Sequence, residues 1–119
     1  MNTAILGASP KPERYAHRAQ VELLAQGHRA FPISPQGATI LDTPGYTSIL
    51  EIEEPIDTLT LYLSPSRLRP LVTDIIQASP RRVIFNPGTE ARDVAEQLQG
   101  AGIETLEACT LVMLATGSF

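Results

Sequence analysis

The chain has 119 residues, enough for one domain that removes about two-thirds of its unfolded surface from water without metal or disulfide support. Nine Lys and Arg against 13 Asp and Glu leave a formal charge of −4, which argues against bulk binding of nucleic acid. One cysteine cannot close an internal disulfide, no signal-peptide pattern opens the chain, and no apolar run approaches the roughly 20 residues of a membrane span; a soluble cytoplasmic protein is expected.

Ala4-Ile5-Leu6 is a continuous apolar run, the pattern of a central parallel strand covered on both faces. Gly7-Ala8-Ser9 turns the chain, and Lys11 and Arg14 follow. From Tyr15 the residues Ala16, Ala19, Leu23 and Leu24 recur at helical spacing, and Gly27 supplies a C-terminal stop. Arg29–Ile33 makes a second strand, ending near Pro32, which lacks a ladder donor. Ser34-Pro35-Gln36-Gly37 is a loop at the same sheet edge as Gly7. Residues 38–56 offer only an extended piece around Thr39-Ile40 and a short helix near Ser48-Ile49-Leu50. The run Asp57–Leu63 alternates polar and apolar, as does a strand exposed on one face.

Ser64-Pro65-Ser66 offers capping residues for a helical stripe of Leu68, Leu71, Val72, Ile75 and Ile76, with Pro70 in the first turn or at a kink. Arg82-Val83-Ile84-Phe85 is another buried strand, followed by Asn86-Pro87-Gly88-Thr89-Glu90. Thr89 is placed to cap a helix whose inner face is Val94, Ala95 and Leu98, and Glu90 then falls in its first turn, where a carboxylate suits the dipole. Ile103–Leu106 is a fifth strand, and Thr110–Thr116 a last helix stopped by Gly117. No composition shift marks a boundary, so residues 1–119 are taken as one domain. Regular strand–helix alternation predicts an α/β, doubly wound, five-stranded parallel sheet, most simply in the order 3-2-1-4-5. That order puts strand 57–63 on an edge. It also makes Gly7-Ala8-Ser9 and Asn86-Pro87-Gly88 face each other across one crevice at the switch point, the expected ligand site.

At that crevice Gly7 is expected to let backbone approach a ligand, so that Gly7→Val would block binding and leave the fold intact. Ser9 adds a hydroxyl, and Lys11 and Arg14 add charge for phosphates. The turn lacks the G-x-G-x-x-G of dinucleotide binders, with Ser9 where the second Gly should stand. After strand 2 the chain has Ser34-Pro35 where an NAD enzyme usually carries an acid. Catalytic groups are scarce. His17 and His28 sit at opposite ends of the first helix, no spacing suggests zinc, and no serine sits in a nucleophile elbow. Cys109 precedes the final helix, where a helix dipole lowers a thiol pKa, or it is a small packed thiol.

Three blocks together resemble a known family. Thr3–Ser9 with Arg14-Tyr15, then Val83–Glu90, then Glu107–Leu114, are similar to the stand-alone coenzyme-A-binding domains. These are single Rossmann-like domains related to the nucleotide-binding domain of the succinyl-CoA synthetase alpha subunit. The resemblance covers essentially the whole chain and implies coenzyme A as cofactor. By it, Gly7, Ala8, Ser9, Lys11, Arg14 and Tyr15 surround the phosphates, and Ser34 and Pro35 lie by the adenosine end. Leu63, Ser64 and Pro65 line the adenine side, and Asn86, Pro87 and Gly88 face the pyrophosphate or pantetheine arm. The resulting expectation is a module that binds coenzyme A or an acyl-CoA without a complete catalytic site, with or without a protein partner to receive it. Two alternatives stand beside it: a small NAD(P)- or other nucleotide-dependent enzyme, and a redox partner of the coenzyme thiol through Cys109.

Overall fold

The computed structural model describes all 119 residues. Five parallel strands form one sheet: β1 (Asn2–Leu6), β2 (Arg29–Ile33), β3 (Thr58–Leu61), β4 (Arg82–Phe85) and β5 (Glu104–Glu107). Helix α1 (Tyr15–Ala25) follows β1, and α4 (Arg92–Gly100) and α5 (Thr110–Thr116) follow β4 and β5. Between β3 and β4 the helical stripe is broken into α2 (Pro65–Leu68), a 3₁₀ turn (Arg69–Leu71) and α3 (Val72–Ala78). Pro70 is the cause: it lacks an N–H and disfavours the helical conformation at the residue before it.

Successive residues of β1 point to opposite faces and enter two separate cores. Ala4 and Leu6 join Phe31, Leu59, Leu61, Phe85, Leu68, Val94 and others in the larger core, beneath α2, α3 and α4. Ile5 joins Ala16, Leu23, Ala30, Ile40 and Leu114 in the smaller one, beneath α1 and α5. The α/β doubly wound class expected from the sequence is what the chain adopts.

The strand order is 2-1-3-4-5, not 3-2-1-4-5. The strand assigned to an edge lies in the middle, between β1 and β4, and all four of its residues are buried. Alternating Thr58 and Thr60 suggested one wet face. Instead Thr58 Oγ1 accepts from Arg82 Nε at 2.7 Å, and Thr60 Oγ1 accepts from Asn86 Nδ2 at 2.7 Å and shares a hydrogen bond with Thr110 Oγ1 at 2.8 Å. Hydroxyls with partners can be buried without penalty, and these partners lie more than twenty residues downstream. The correction moves the switch point, since in this order the connections reverse between β1 and β3.

β2 is therefore an edge strand, which tolerates Pro32. Its outer side is covered by a returning segment, with Tyr46 N–H donating to Pro32 O at 2.9 Å and Ser34 N–H donating to Tyr46 O at 3.0 Å. Residues 38–56 contain a tight Ile40–Thr43 bridge and a 3₁₀ turn at Ile49–Glu51, close to the short helix expected there. Ser48 and Glu51 cap that turn reciprocally, and Ile49 anchors it in the larger core. A second correction concerns α4, which begins after Ala91 rather than at a Thr89 cap. The Thr89 hydroxyl donates to Asn86 O at 2.8 Å, and Glu90 reaches back to accept from Gly88 N–H at 2.8 Å, so both residues close the loop instead of starting the helix.

Candidate functional site

The C-terminal ends of β1, β2 and β3 converge where the chain leaves the sheet. Ile33 O accepts from both Gly7 N–H (3.1 Å) and Ala8 N–H (3.0 Å), so the turn after β1 is tied to the end of β2. Ser9 Oγ accepts from Lys11 N–H at 3.1 Å, and His17 Nδ1 donates to Ser9 O at 3.2 Å from the first turn of α1. Arg14 is the N-cap residue of α1 but gives it no side-chain cap, so the first N–H groups of the helix face the turn without an acceptor. His17 is thus a positioning residue for this turn, which its place in the helix pattern did not reveal.

A cavity of about 370 Å³ opens above this turn, lined among others by Gly7, Ala8, Ser9, Lys11, Arg14, Tyr15, Pro35 and Leu63. Tyr62 and Arg67 complete its far wall. Local pattern offers no signal for either: Tyr62 lies near the end of the run that reads as an edge strand, and Arg67 lies in α2, which follows that run. A second cavity of about 260 Å³, lined by Tyr15, Tyr62, Asn86, Pro87, Cys109 and Leu111, shares the two tyrosines with the first. A third, of about 290 Å³, lies on the other side and contains Ser34, Thr47 and Leu71, sharing Gly7, Pro35, Leu63 and Arg67 with the first. The three lie side by side across the strand ends, with the first sharing walls with each of the other two.

Most residues singled out in the sequence come together here. Ser64, Pro65 and Gly88 line none of the three cavities. Ser64 is the N-cap of α2, with Pro65 at its first position. The Gly7 and Asn86 loops do not oppose each other directly, because the end of β3, with Tyr62, stands between them. Asn86 is 2% exposed, and its amide is committed: Nδ2 donates to Thr60 Oγ1 and to Leu61 O at 2.9 Å, and Oδ1 accepts from Thr110 N–H at 2.8 Å. It locks β3, β4 and α5 together beneath the second cavity.

Gly7 also serves a different purpose from the one expected. Its φ is +91°, and a Cβ there would lie 2.7 Å from Tyr62 O and 2.9 Å from Tyr62 C. The space a side chain needs is filled by the backbone of Tyr62, just after β3, and is not left open for a ligand. Gly7→Val therefore disturbs the fold itself.

Six of the nine Lys and Arg side chains have no carboxylate partner, and three of those six line the first cavity. Of the chain's cations, Arg29, Arg69 and Arg92 pair with Glu54, Asp93 and Glu96 at 2.8, 2.8 and 3.1 Å. Lys11, Arg14 and Arg67, all in the first cavity, pair with no carboxylate. The Tyr62 hydroxyl sits beside Thr60, Thr110 and Cys109, and burial pushes its pKa up to about 12, so it stays a neutral hydrogen-bonding group. This groove of adjoining cavities can thus hold an elongated molecule with anionic groups at its centre and less polar parts at both ends.

Solved structures give the fold close counterparts. An uncharacterised protein is 38% identical and superposes with a TM-score of 0.89 over 99% of this chain and 97% of its own. A Thermus thermophilus protein is 28% identical, with a TM-score of 0.90 over 99% of this chain and 90% of its own. The dinucleotide-forming acetyl-coenzyme A synthetase 1 of Ca. Korarchaeum cryptofilum shares the fold alone, at 17% identity and a TM-score of 0.75 over 88% of this chain and 25% of that one. The family model of the CoA binding domain matches residues 1–115 of the sequence, and the chain belongs to that family.

Proposed function

We propose that residues 1–119 form one domain whose groove holds coenzyme A or an acyl derivative, with no complete catalytic set of its own. The observation that carries this is charge placement: in a chain of net charge −4, three unpaired cations gather at one switch-point cavity beside an open helix N-terminus. The pyrophosphate lies over the Gly7–Arg14 turn, within reach of Lys11 and Arg14. The adenosine end occupies the cavity of Ser34, Pro35 and Leu63. The pantetheine arm passes between Tyr15 and Tyr62 toward Pro87 and Leu111. Such a module presents its coenzyme to a partner protein that does the chemistry.

Isothermal titration of the intact chain with coenzyme A and with NAD tests this. Coenzyme A is expected to bind and NAD to bind more weakly, because Ser34-Pro35 offers no acid to the NAD ribose. Equal or tighter NAD binding overturns the choice of ligand. A second reading is favoured by one observation, the Cys109 thiol in the wall of the second cavity. There its thiolate attacks a coenzyme A disulfide, forming a mixed disulfide and releasing one coenzyme A thiolate, which takes up a proton. Intact mass spectrometry after treatment with that disulfide looks for the adduct, and its absence from the wild-type protein ends the idea.

A further inference from the structure

We infer that Arg67 is the residue that reads the ribose 3′-phosphate and so sets the preference for coenzyme A over its dephosphorylated form. This rests on the coenzyme A reading above and adds a subsite to it. In coenzyme A the ribose joins the adenine to the pyrophosphate and carries a third phosphate, so that phosphate lies between the two ends of the nucleotide. The structure has a matching junction. The central cavity and the one containing Ser34 share four residues, Gly7, Pro35, Leu63 and Arg67. Glycine, proline and leucine side chains offer no hydrogen-bond donor, which leaves Arg67 as the one side chain in the shared wall able to pair with an anion. Of the two hydroxyls in the outer cavity, Thr47 donates to Glu51 Oε1 at 2.6 Å and Ser34 Oγ accepts from Ala38 N–H at 3.4 Å, and neither brings the positive charge that a dianion calls for.

Arg67 is also free and well anchored. No carboxylate pairs with it, and its backbone N–H donates to Ser64 O at 3.1 Å in the first turn of α2, whose start is set by Pro65. Two residues on, Arg69 is held by Asp93 through Nε at 2.8 Å and through a second nitrogen at 3.3 Å. One segment thus carries a satisfied arginine and an unsatisfied one, and only the unsatisfied one lines the groove. A planar guanidinium suits a dianionic phosphate because it can donate two parallel hydrogen bonds.

The test is isothermal titration of the wild-type chain, Arg67→Ala and Arg69→Ala with coenzyme A and dephospho-coenzyme A, with thermal melting to confirm folding. The wild type and Arg69→Ala are expected to prefer coenzyme A by roughly ten-fold or more, the size of one charge-assisted hydrogen bond. Arg67→Ala should lose that preference and bind dephospho-coenzyme A as the wild type does. If Arg67→Ala keeps the preference, the assignment to Arg67 is wrong while the ligand stands. If the wild type binds both compounds equally, there is no 3′-phosphate subsite. If neither compound binds the wild type, the coenzyme A reading itself fails, and this inference with it.

Discussion

The close approach of the Tyr62 backbone to Gly7 makes the glycine's replacement by alanine a structural test with a built-in control. Gly7→Ala forces an L-residue to φ +91° and places its Cβ 2.7 Å from Tyr62 O, 2.9 Å from Tyr62 C and 3.0 Å from Leu63 Cδ2. The first effect costs about 1–3 kcal/mol as backbone strain. The second cannot be relieved by rotating a side chain, because Tyr62 N–H donates to Leu6 O at 2.8 Å and fixes that backbone against β1. Overpacking of this kind costs about 1–3 kcal/mol more. Gly88 has nearly the same φ, +92°, but nothing within 4 Å of its Cβ position, so Gly88→Ala carries the strain without the clash. Urea unfolding followed by far-ultraviolet circular dichroism should therefore place Gly7→Ala about 1–3 kcal/mol below Gly88→Ala. Equal losses would refute the packing argument.

Other expectations follow from the same geometry. Asn86→Ala strands the Thr110 N–H and Leu61 O without partners, and should lower the unfolding free energy by roughly 3 kcal/mol in the same assay, each orphaned buried group costing about 1–3 kcal/mol; a loss below about 1 kcal/mol would show the network is dispensable. Arg14→Ala should weaken coenzyme A binding by about 1–3 kcal/mol in calorimetry with an unchanged unfolding midpoint, since its side chain caps nothing; full affinity would put the phosphates elsewhere. His28 has its pKa lowered below 6.5 by burial, then by the positive N-terminus and Arg82, and its Nδ1 accepts from the Met1 ammonium at 2.8 Å. The folded chain thus binds this proton less readily than the unfolded one. The stability it contributes is whole above about pH 6.5 and is lost as pH falls through the lowered folded value. His28→Gln should flatten the acid side of the urea-midpoint profile relative to wild type, and parallel profiles would remove His28 from the account.

The parts of the fold visible in the sequence are those governed by local pattern. Ala4-Ile5-Leu6 and Val83-Ile84-Phe85 are buried strands, and the α1 stripe of Ala16, Ala19 and Leu23 packs inward, with Leu24 at its exposed margin. What local pattern misjudged was β3. Polarity at Thr58 and Thr60 marked a face that needs hydrogen bonds, not one that needs water, and Arg82, Asn86 and Thr110 supply those bonds from distant sequence. Moving β3 inward is also what brings Tyr62 and Arg67 to the groove. Ser9, Lys11 and Arg14 could be found because they share a short turn with the glycine, whereas Arg67 reaches the same cavity only through the strand order. Asn86 was found for its position in a loop at the strand ends, but its amide faces the protein's own backbone and hydroxyls.

The two rims of the sheet have a consequence for how such chains coexist at high concentration. Along β2, a proline without an N–H and the Tyr46 segment occupy the groups that another strand would seek. Along β5, Glu104 and Glu107 stand exposed at either end of the opposite rim, so two such rims meeting would set like charges together. The β2 border is thus partly closed by the chain's own segment, and pairing of two β5 borders is opposed by charge, so strand-upon-strand assembly is disfavoured in a crowded solution of these molecules.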